Sequence, residues 1–247
     1  MTVITYEKNE RGEACSEILL ASEIISSYKM LIILPIPFTR DGVNLSFGDI
    51  SVSEVCSVDY EGALVVGYGI PQEVEKRLSE LGAVVVDCER DERFLSENAY
   101  LTALATVSVI LNDGKRSPEE LGIGIVGYGR IGRSLLRMLL SLGASPVVYT
   151  SRDDVAICLG ESGVCCERVS DTRVISGLDY LINTSPSPYL LECEIDMGVR
   201  ILELCPGDNF SGGTVQRLPA LPARFFPVSA GHRWGESALR LLREAER

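Results

Sequence analysis

"IVGYGRIGRS", Ile125 to Ser134, decides how this chain is read. It holds a complete G-x-G-x-x-G: Gly127, Tyr128, Gly129, Arg130, Ile131 and Gly132. An apolar run, "GIGIVG", precedes it. An amphipathic run, "RIGRSLLRMLLSLG" (Arg130 to Gly143), follows, and then the apolar "SPVVYTSR" (Ser145 to Arg152). Strand, glycine turn, helix and second strand in that order are what give the motif weight as a dinucleotide cradle. Gly127 permits the tight turn, Gly129 lets a pyrophosphate approach the backbone, and Gly132 lets helix and strand pack closely. The helix N-terminus then offers unpaired N–H groups and partial positive charge.

The end of the second strand bears on the nucleotide. An acidic residue there would bind the ribose 2′-OH of NAD; this chain has Thr150, Ser151 and Arg152. A hydroxyl and a guanidinium suit the 2′-phosphate of NADP, so NADP is expected rather than NAD. The alternative is that Arg152 is a solvated surface residue and Asp153 or Asp154 reaches back to a ribose. Further on, "NTSPSP" (Asn183 to Pro188) ends another apolar run. Ligands of open α/β sheets lie beyond strand C-termini, so Asn183, Thr184 and Ser185 are expected beside the nicotinamide ribose.

A shorter echo, "VVGYGIPQEV" (Val65 to Val74), lacks the third glycine: Gln72 stands where Gly132 stands in the other copy. Pro71 also removes an N–H that a phosphate would use. This copy reads as a plain strand-to-helix turn.

Around these motifs the chain alternates strands and helices. "MLIILPI", "ALVVGYG", the helix "PQEVEKRLSELG" and "AVVVDCE" form a first βαβ region, with "SEILLASEIISSY" (Ser16 to Tyr28) as a helix lying on it. "AYLTALATVSVILN" (Ala99 to Asn112) is apolar nearly all round and reads as a buried helix. After the glycine motif come a helix at "DDVAICLGESG", a strand at "VCCERV", a short helix at "DTRVISGL", and strands at "DYLIN" and "GVRILEL". "ARFFPV" reads as the last strand and "GESALRLLREAER" as the terminal helix. The expected fold class is α/β, with two lobes. Residues 1–97 form a smaller flavodoxin-like N-terminal lobe, and 98–247 a Rossmann doubly wound parallel sheet, with 98–112 as the interlobe helix.

Composition narrows the function. The chain has 247 residues and 46% hydrophobic content, enough for two modest cores, and a net charge of −12. That charge argues against a nucleic-acid-binding body, which needs a concentrated basic face. It does not exclude a small anionic ligand. No signal peptide is visible in "MTVITYEKNE", and "MLIILPIPF" and "LTALATVSVIL" fall short of the ~20 residues that span a bilayer. A cytoplasmic location away from the membrane is therefore expected. None of the eight cysteines forms a C-x-x-C pair, and there is one histidine, so no metal site is expected and the thiols read as free.

With these motifs placed, the chain resembles the A subunits of bacterial dipicolinate synthase, which are similar in layout to the D-2-hydroxyacid dehydrogenases. The resemblance runs from about Leu31 to the C-terminus. It rests on "IILPIPFT", "ERDERFLSENAYLTALATV", "GYGRIGRS", "YTSR", "LINTSPS", "CPGDNF" and above all "PALPARFFPVSAG" (Pro219 to Gly231). It implies a cytosolic, NADP-linked dehydrogenase that oxidises dihydrodipicolinate during sporulation, partnered by a flavoprotein-like B subunit. The family's Thr-x-Glu-Gly is here Thr102-Ala103-Leu104-Ala105, its Arg-Pro-Gly-Gly is Cys205-Pro206-Gly207-Asp208, and its Gly-Leu-Pro-Gly is Ala220-Leu221-Pro222-Ala223. The first βα unit of the N-terminal lobe is expected to be missing. These departures leave a second reading open, a non-catalytic NAD(P)-binding subunit or sensor acting through a partner protein.

Three residues are candidates for holding the anionic substrate. Arg40, with Thr39 before it, follows a first-lobe strand and would grip a carboxylate in bidentate fashion; a surface turn beside Asp41 is the alternative. His232, in "SAGHRWGES", sits where D-2-hydroxyacid dehydrogenases keep an acid/base histidine, although a capping or surface role suits it as well. No other catalytic residue is identifiable. The apolar helix around Leu101 to Leu111 would suit either a homodimer or an interlobe core.

Overall fold

The computed structural model describes residues 1–46, 48–113, 116–187, 191–205, 209–210 and 213–245. The chain divides into two compact units, residues 1–98 with 222–247, and residues 99–221.

The first unit is built on a parallel sheet of four strands in the order β1-β2-β3-β4. Strand β1 (Thr2–Thr5) leads into α1 (Glu10–Leu20), whose N-cap Asn9 accepts from the Arg11 and Gly12 amides. After β2 (Met30–Ile33) come the short α2 (Val52–Val55), β3 (Ala63–Gly67), α3 (Gln72–Glu80) and β4 (Val84–Asp87). Alternate residues face opposite ways along a strand. Leu31, Ile33, Leu64 and Val66 therefore enter one core cluster with Cys15 and Leu19 of α1, and Ile32, Ala63 and Val65 enter another with Val74 and Leu78 of α3.

Two expectations are corrected here. The first βα unit is present, because β1 pairs in parallel with β2 from Thr2 to Thr5 and α1 packs on the sheet. The helix expected over Ser16 to Tyr28 starts earlier and stops at Leu20, and a separate 3-10 turn covers Glu23–Ser27. The buried pair Glu7–Arg11 explains the early start. Arg11 donates to Glu7 through Nε (3.1 Å) and Nη2 (2.7 Å), and Glu7 Oε2 accepts from the Ile36 amide at 2.9 Å. Charges with so little exposure, 4% and 0%, persist only when paired and hydrogen-bonded.

Helix α4 (Glu92–Asp113) contains the division between the units, which falls between Asn98 and Ala99. At 22 residues it exceeds the apolar stretch seen in the sequence and is long and apolar enough to cross a membrane by length and composition alone. Ala103, Ala105 and even the polar Thr106 are fully buried in the protein, and Thr106 donates to the Thr102 carbonyl.

The second unit carries a six-stranded, all-parallel sheet with the order β12-β11-β9-β5-β6-β7. Its elements are β5 (Ile123–Val126), α5 (Arg130–Ser141), β6 (Val147–Thr150), α6 (Asp153–Glu161), β7 (Cys166–Arg168), β8 (Val174–Ile175), β9 (Tyr180–Asn183), β10 (Glu194–Ile195), β11 (Arg200–Glu203) and β12 (Thr214–Arg217). The order runs β5, β6, β7 one way and β5, β9, β11, β12 the other. That reversal is the switch point of a doubly wound sheet. Helix α5 buries Leu135, Leu136 and Leu139 and leaves Arg130, Arg133 and Arg137 exposed, as its leucine spacing predicts. The short helix expected at "DTRVISGL" is instead β8, paired in parallel with β10.

The C-terminal segment differs most from expectation. "ARFFPV" is not a strand: α7 (Leu221–Phe225) occupies it, with Pro222 in its first turn. The last strand is the polar edge strand β12, which a hydrophobic pattern does not reveal. Helix α8 (Pro227–Ala245) starts eight residues before the expected "GESALRLLREAER" and packs in the first unit, so 222–247 does not belong with the sheet of the second. Gly231 and Gly235, four residues apart, face α1. A methyl group on Gly231 would lie 2.7 Å from Ala14 Cβ, and one on Gly235 2.8 Å from Ile18 Cβ. The missing side chains let the two helices approach closely and bury Trp234 completely.

Candidate nucleotide site

The glycine turn follows β5, next to the reversal in strand order. Gly127 has φ +90°, a left-handed conformation that favours glycine, and its amide donates to the Tyr149 carbonyl at 2.8 Å. A Cβ on Gly127 would sit 2.9 Å from Thr184 Oγ1. A Cβ on Gly132 would collide with the Gly127 carbonyl. Gly129 is different: a Cβ there would meet no heavy atom within 4 Å. The turn is therefore tight at its first and third glycines and open at the second, where the backbone faces unfilled space.

That space belongs to a cavity of about 270 Å³. Its lining includes Gly127, Tyr128 and Gly129, then Thr150 at the end of β6 with Ser151 and Arg152 after it, and Thr184 and Ser185 after β9. Three stretches far apart in sequence thus meet at one place because they follow neighbouring parallel strands. Thr184 is fixed by its hydroxyl, which donates to the Val126 carbonyl at 2.8 Å. The Arg152 amide donates to Thr150 Oγ1 at 3.2 Å. Arg130 and Ile131 occupy the first turn of α5 without lining the cavity.

The Arg152 guanidinium is exposed and paired with Asp154: Nε donates to Oδ1 at 3.1 Å and Nη2 to Oδ2 at 2.5 Å. These bonds hold the Asp154 carboxyl below its ordinary value. Tyr149 is pushed up to about 12, chiefly by burial and then by Glu167. It stays neutral and serves as a wall.

Asn183 departs from expectation. It is 1% exposed, and its amide nitrogen donates to both oxygens of Glu203, at 2.9 and 3.1 Å. Glu203 also accepts from Asn209 Nδ2 at 3.0 Å and the Cys205 amide at 2.8 Å. Asn183 Oδ1 in turn accepts from the Ser185 amide at 3.1 Å. Asn183 thus positions the cavity loop from beneath and does not line it. Burial, then the Glu203 charge, pushes the Cys205 thiol up to about 11. Pro188 and the Pro206-Gly207-Asp208 stretch lie outside the described residues.

The sequence reading missed Glu203, and it missed Arg133, Tyr149, Val169 and Pro186 in the lining. Arg133 carried a usable signal. It is one turn on from Arg130, and its guanidinium lies 5.6 Å over the Tyr128 ring and donates to the Tyr128 carbonyl at 3.3 Å.

The upstream echo is already satisfied from within. The Gly69 and Ile70 amides both donate to the Asp87 carboxylate at 2.9 Å, and Asp87 is 5% exposed. A side-chain carboxylate stands where a phosphate would, and the turn reading of this copy fits.

The substrate candidates all lie in the first unit. The Thr39 hydroxyl is engaged within its own loop, donating to the Asn44 carbonyl at 2.7 Å and accepting from the Gly42 amide at 2.9 Å. Arg40 is exposed beside it. Asp41 caps that loop by accepting from the Val43 and Asn44 amides, which lower its carboxyl to about 2. His232 is half-buried in α8. Among the described residues no cluster of histidine, cysteine and carboxylate side chains could hold a metal ion.

No protein-family model and no curated protein matches the sequence. Solved structures do match. The dipicolinate synthase A subunit from Bacillus halodurans is 16% identical with a TM-score of 0.73, over 98% of this chain and 97% of that one. Its counterpart in the dipicolinate synthase of Bacillus subtilis is 17% identical with a TM-score of 0.73, over 100% and 96%. D-lactate dehydrogenase from Escherichia coli is 13% identical with a TM-score of 0.59, over 100% and 97%. The doubly wound sheet, the glycine turn at its switch point and these likenesses agree: the chain has the two-unit α/β fold of the dipicolinate synthase A subunits.

Proposed function

We propose that the protein is an NADP-dependent oxidoreductase of the dipicolinate synthase type, transferring hydride between a small anionic, dihydrodipicolinate-like dicarboxylate and nicotinamide. The observation that carries this reading is the open face of Gly129, set in one cavity with Thr150, Ser151 and Arg152. A turn that served only to join strand and helix would have no need of open space over its middle glycine. The residues fit a dinucleotide. The Gly129 backbone and the start of α5 would hold the pyrophosphate, Ser151 and Arg152 a 2′-phosphate, and Thr184 and Ser185 the nicotinamide ribose. The nicotinamide supplies the hydride acceptor when bound. The chain's own contribution is orientation and exclusion of water: Glu203 fixes Asn183, Asn183 fixes Ser185, and Tyr149 and Val169 wall the cavity. Thr39, Arg40 and His232 are the proposed substrate contacts. Partnership with a flavoprotein-like B subunit, a homodimer and a cytoplasmic place in sporulating cells belong to the same proposal.

A second reading, a nucleotide-binding subunit that works through a partner, is favoured by one observation. Residues 102–105 of α4 present Ala103 and Ala105 to the core and no acidic side chain.

Titration of the protein with NADPH and then NADH, followed by nicotinamide fluorescence, tests the cofactor. NADPH is expected to bind with a Kd between about 1 μM and 1 mM, the range in which most enzymes work, and Arg152→Ala is expected to weaken it. Binding of neither nucleotide would remove the dehydrogenase reading. Dihydrodipicolinate with NADP then separates the two readings: appearance of reduced nicotinamide supports the enzyme, and binding without turnover supports the non-catalytic reading.

A further inference from the structure

Beside the nucleotide cavity lies a second one of about 330 Å³, lined among others by Arg168, Ser170, Arg173 and Glu192. The two share Ser151 and Val169, so Ser151 is on the rim of both. Strand register explains the closeness: Thr150 of β6 pairs with Arg168 of β7, and the Val169 amide donates to the Thr150 carbonyl. Two arginines therefore flank Ser151, one from each strand end. Each is held by a carboxylate on the first turn of α6: Arg152 by Asp154, and Arg168 by Asp153. All four side chains are about half exposed or more.

We propose that Arg168 is a second specificity-determining cation for the 2′-phosphate, and that Asp153 and Asp154 are its competitors, so that nucleotide choice is set by an exchange of ion-pair partners around Ser151. This rests on the nucleotide reading of the same cavity and adds a residue and a competition to it. Exposed carboxylate–guanidinium pairs are weak. A phosphate monoester carries more charge than a carboxylate and matches the guanidinium fork with two parallel bonds, so it displaces the aspartate. A ribose 2′-hydroxyl offers no such charge, and with NADH both pairs stay closed. The α6 carboxylates then oppose the 2′-phosphate in two ways, by occupying the arginines and by repelling its charge. Their presence holds the preference for NADP below what two arginines would otherwise confer.

The test is the NADPH and NADH titration on the full chain with Arg168→Gln and with Asp153→Asn. Arg168→Gln is expected to weaken NADPH about ten-fold, the loss of one charge-assisted contact to phosphate, and to change NADH less than two-fold. Asp153→Asn is expected to tighten NADPH about three-fold or more, as removal of a weak exposed ion pair allows, again with NADH unchanged. Opposite signs from the two variants cannot come from a general loss of structure. If both variants leave the NADPH-to-NADH ratio unchanged, or shift both nucleotides together, the inference is overturned while the cofactor reading stands. If the unaltered protein binds neither nucleotide, both fall.

Discussion

At the scale of single residues, the second and third glycines of the turn have separable roles. Gly129 can take a methyl group without contact, at φ −81° and in extended backbone, so Gly129→Ala should leave the melting temperature nearly unchanged. It should weaken NADPH about ten-fold or more, because the added methyl occupies the approach to the pyrophosphate. Gly132→Ala puts a methyl against the Gly127 carbonyl and should cost about 1–3 kcal/mol of stability, the usual range for overpacking. Thermal melts beside nucleotide titrations distinguish the two, and equal destabilisation by both would contradict the open face at Gly129. Ala220 makes an opposite prediction. It has φ +52°, where a side chain is strained, and the family it resembles has glycine there. Ala220→Gly should stabilise by about 1 kcal/mol, the relief of one left-handed non-glycine residue, as read from denaturant midpoints.

At the scale of elements, α8 depends on few polar anchors. Asp91 accepts from Arg240 Nε at 3.1 Å and Nη2 at 2.6 Å. Burial raises the Asp91 carboxyl, but the neighbouring Ser237 hydroxyl, the Arg240 guanidinium and the Phe94 amide outweigh it and hold the group below its ordinary value. A carboxylate held low in the folded protein contributes stability above its unfolded value, about 3.9. That contribution is lost as pH falls through the lowered folded value. Asp91→Asn should therefore be less stable than the parent protein at neutral pH, and the gap should close on acidification below about pH 4. Trp234, the chain's single tryptophan, is buried in the same helix and reports the transition by fluorescence. A gap independent of pH would refute the role of the ionised carboxylate. Elements with a strong periodic signal, β3, α3, β5, α5 and β6, lie where the sequence placed them within a few residues. The misread ones lacked such a signal. β12 is a polar edge, β8 is two residues long, and the strand-forming aromatics of "ARFFPV" lie between two prolines, Pro222 and Pro227, that sit in the first turns of α7 and α8.

At the scale of the whole molecule, thiol reactivity separates surface from core. Cys158 and Cys165 are exposed, whereas Cys15 and Cys88 are buried. Burial, then the neighbouring Cys88 sulfur, pushes Cys15 well up, and burial pushes Cys88 to about 12. Since the thiolate is the nucleophile, an aromatic disulfide reagent near neutral pH should modify Cys158 and Cys165 quickly and reach Cys15 and Cys88 only on unfolding. Mass-spectrometric mapping checks the order, and early labelling of Cys88 would contradict the packing of α8 over it. The division of the chain belongs to this scale too. The expected lobe boundary assigned everything after residue 97 to the nucleotide unit. The return of 222–247 to the first unit is carried by Gly231 and Gly235, a small-residue pair in "GHRWG" that gains meaning only once α1 is known to lie against it.

The local features were legible from the residues alone: the glycine turn between strand and helix, the leucine face of α5, the hydroxyl and guanidinium after β6, and the proline that spoils the upstream echo. These follow from backbone geometry and side-chain periodicity over a few residues, which neighbouring sequence suffices to set. What meets what came from the folded chain. It put Asp87 into the upstream turn, Glu203 under Asn183, Arg168 beside Ser151 and α8 against α1. Each of these joins strand ends or helix faces from distant parts of the chain, and parallel sheet order and burial, not sequence spacing, bring them together.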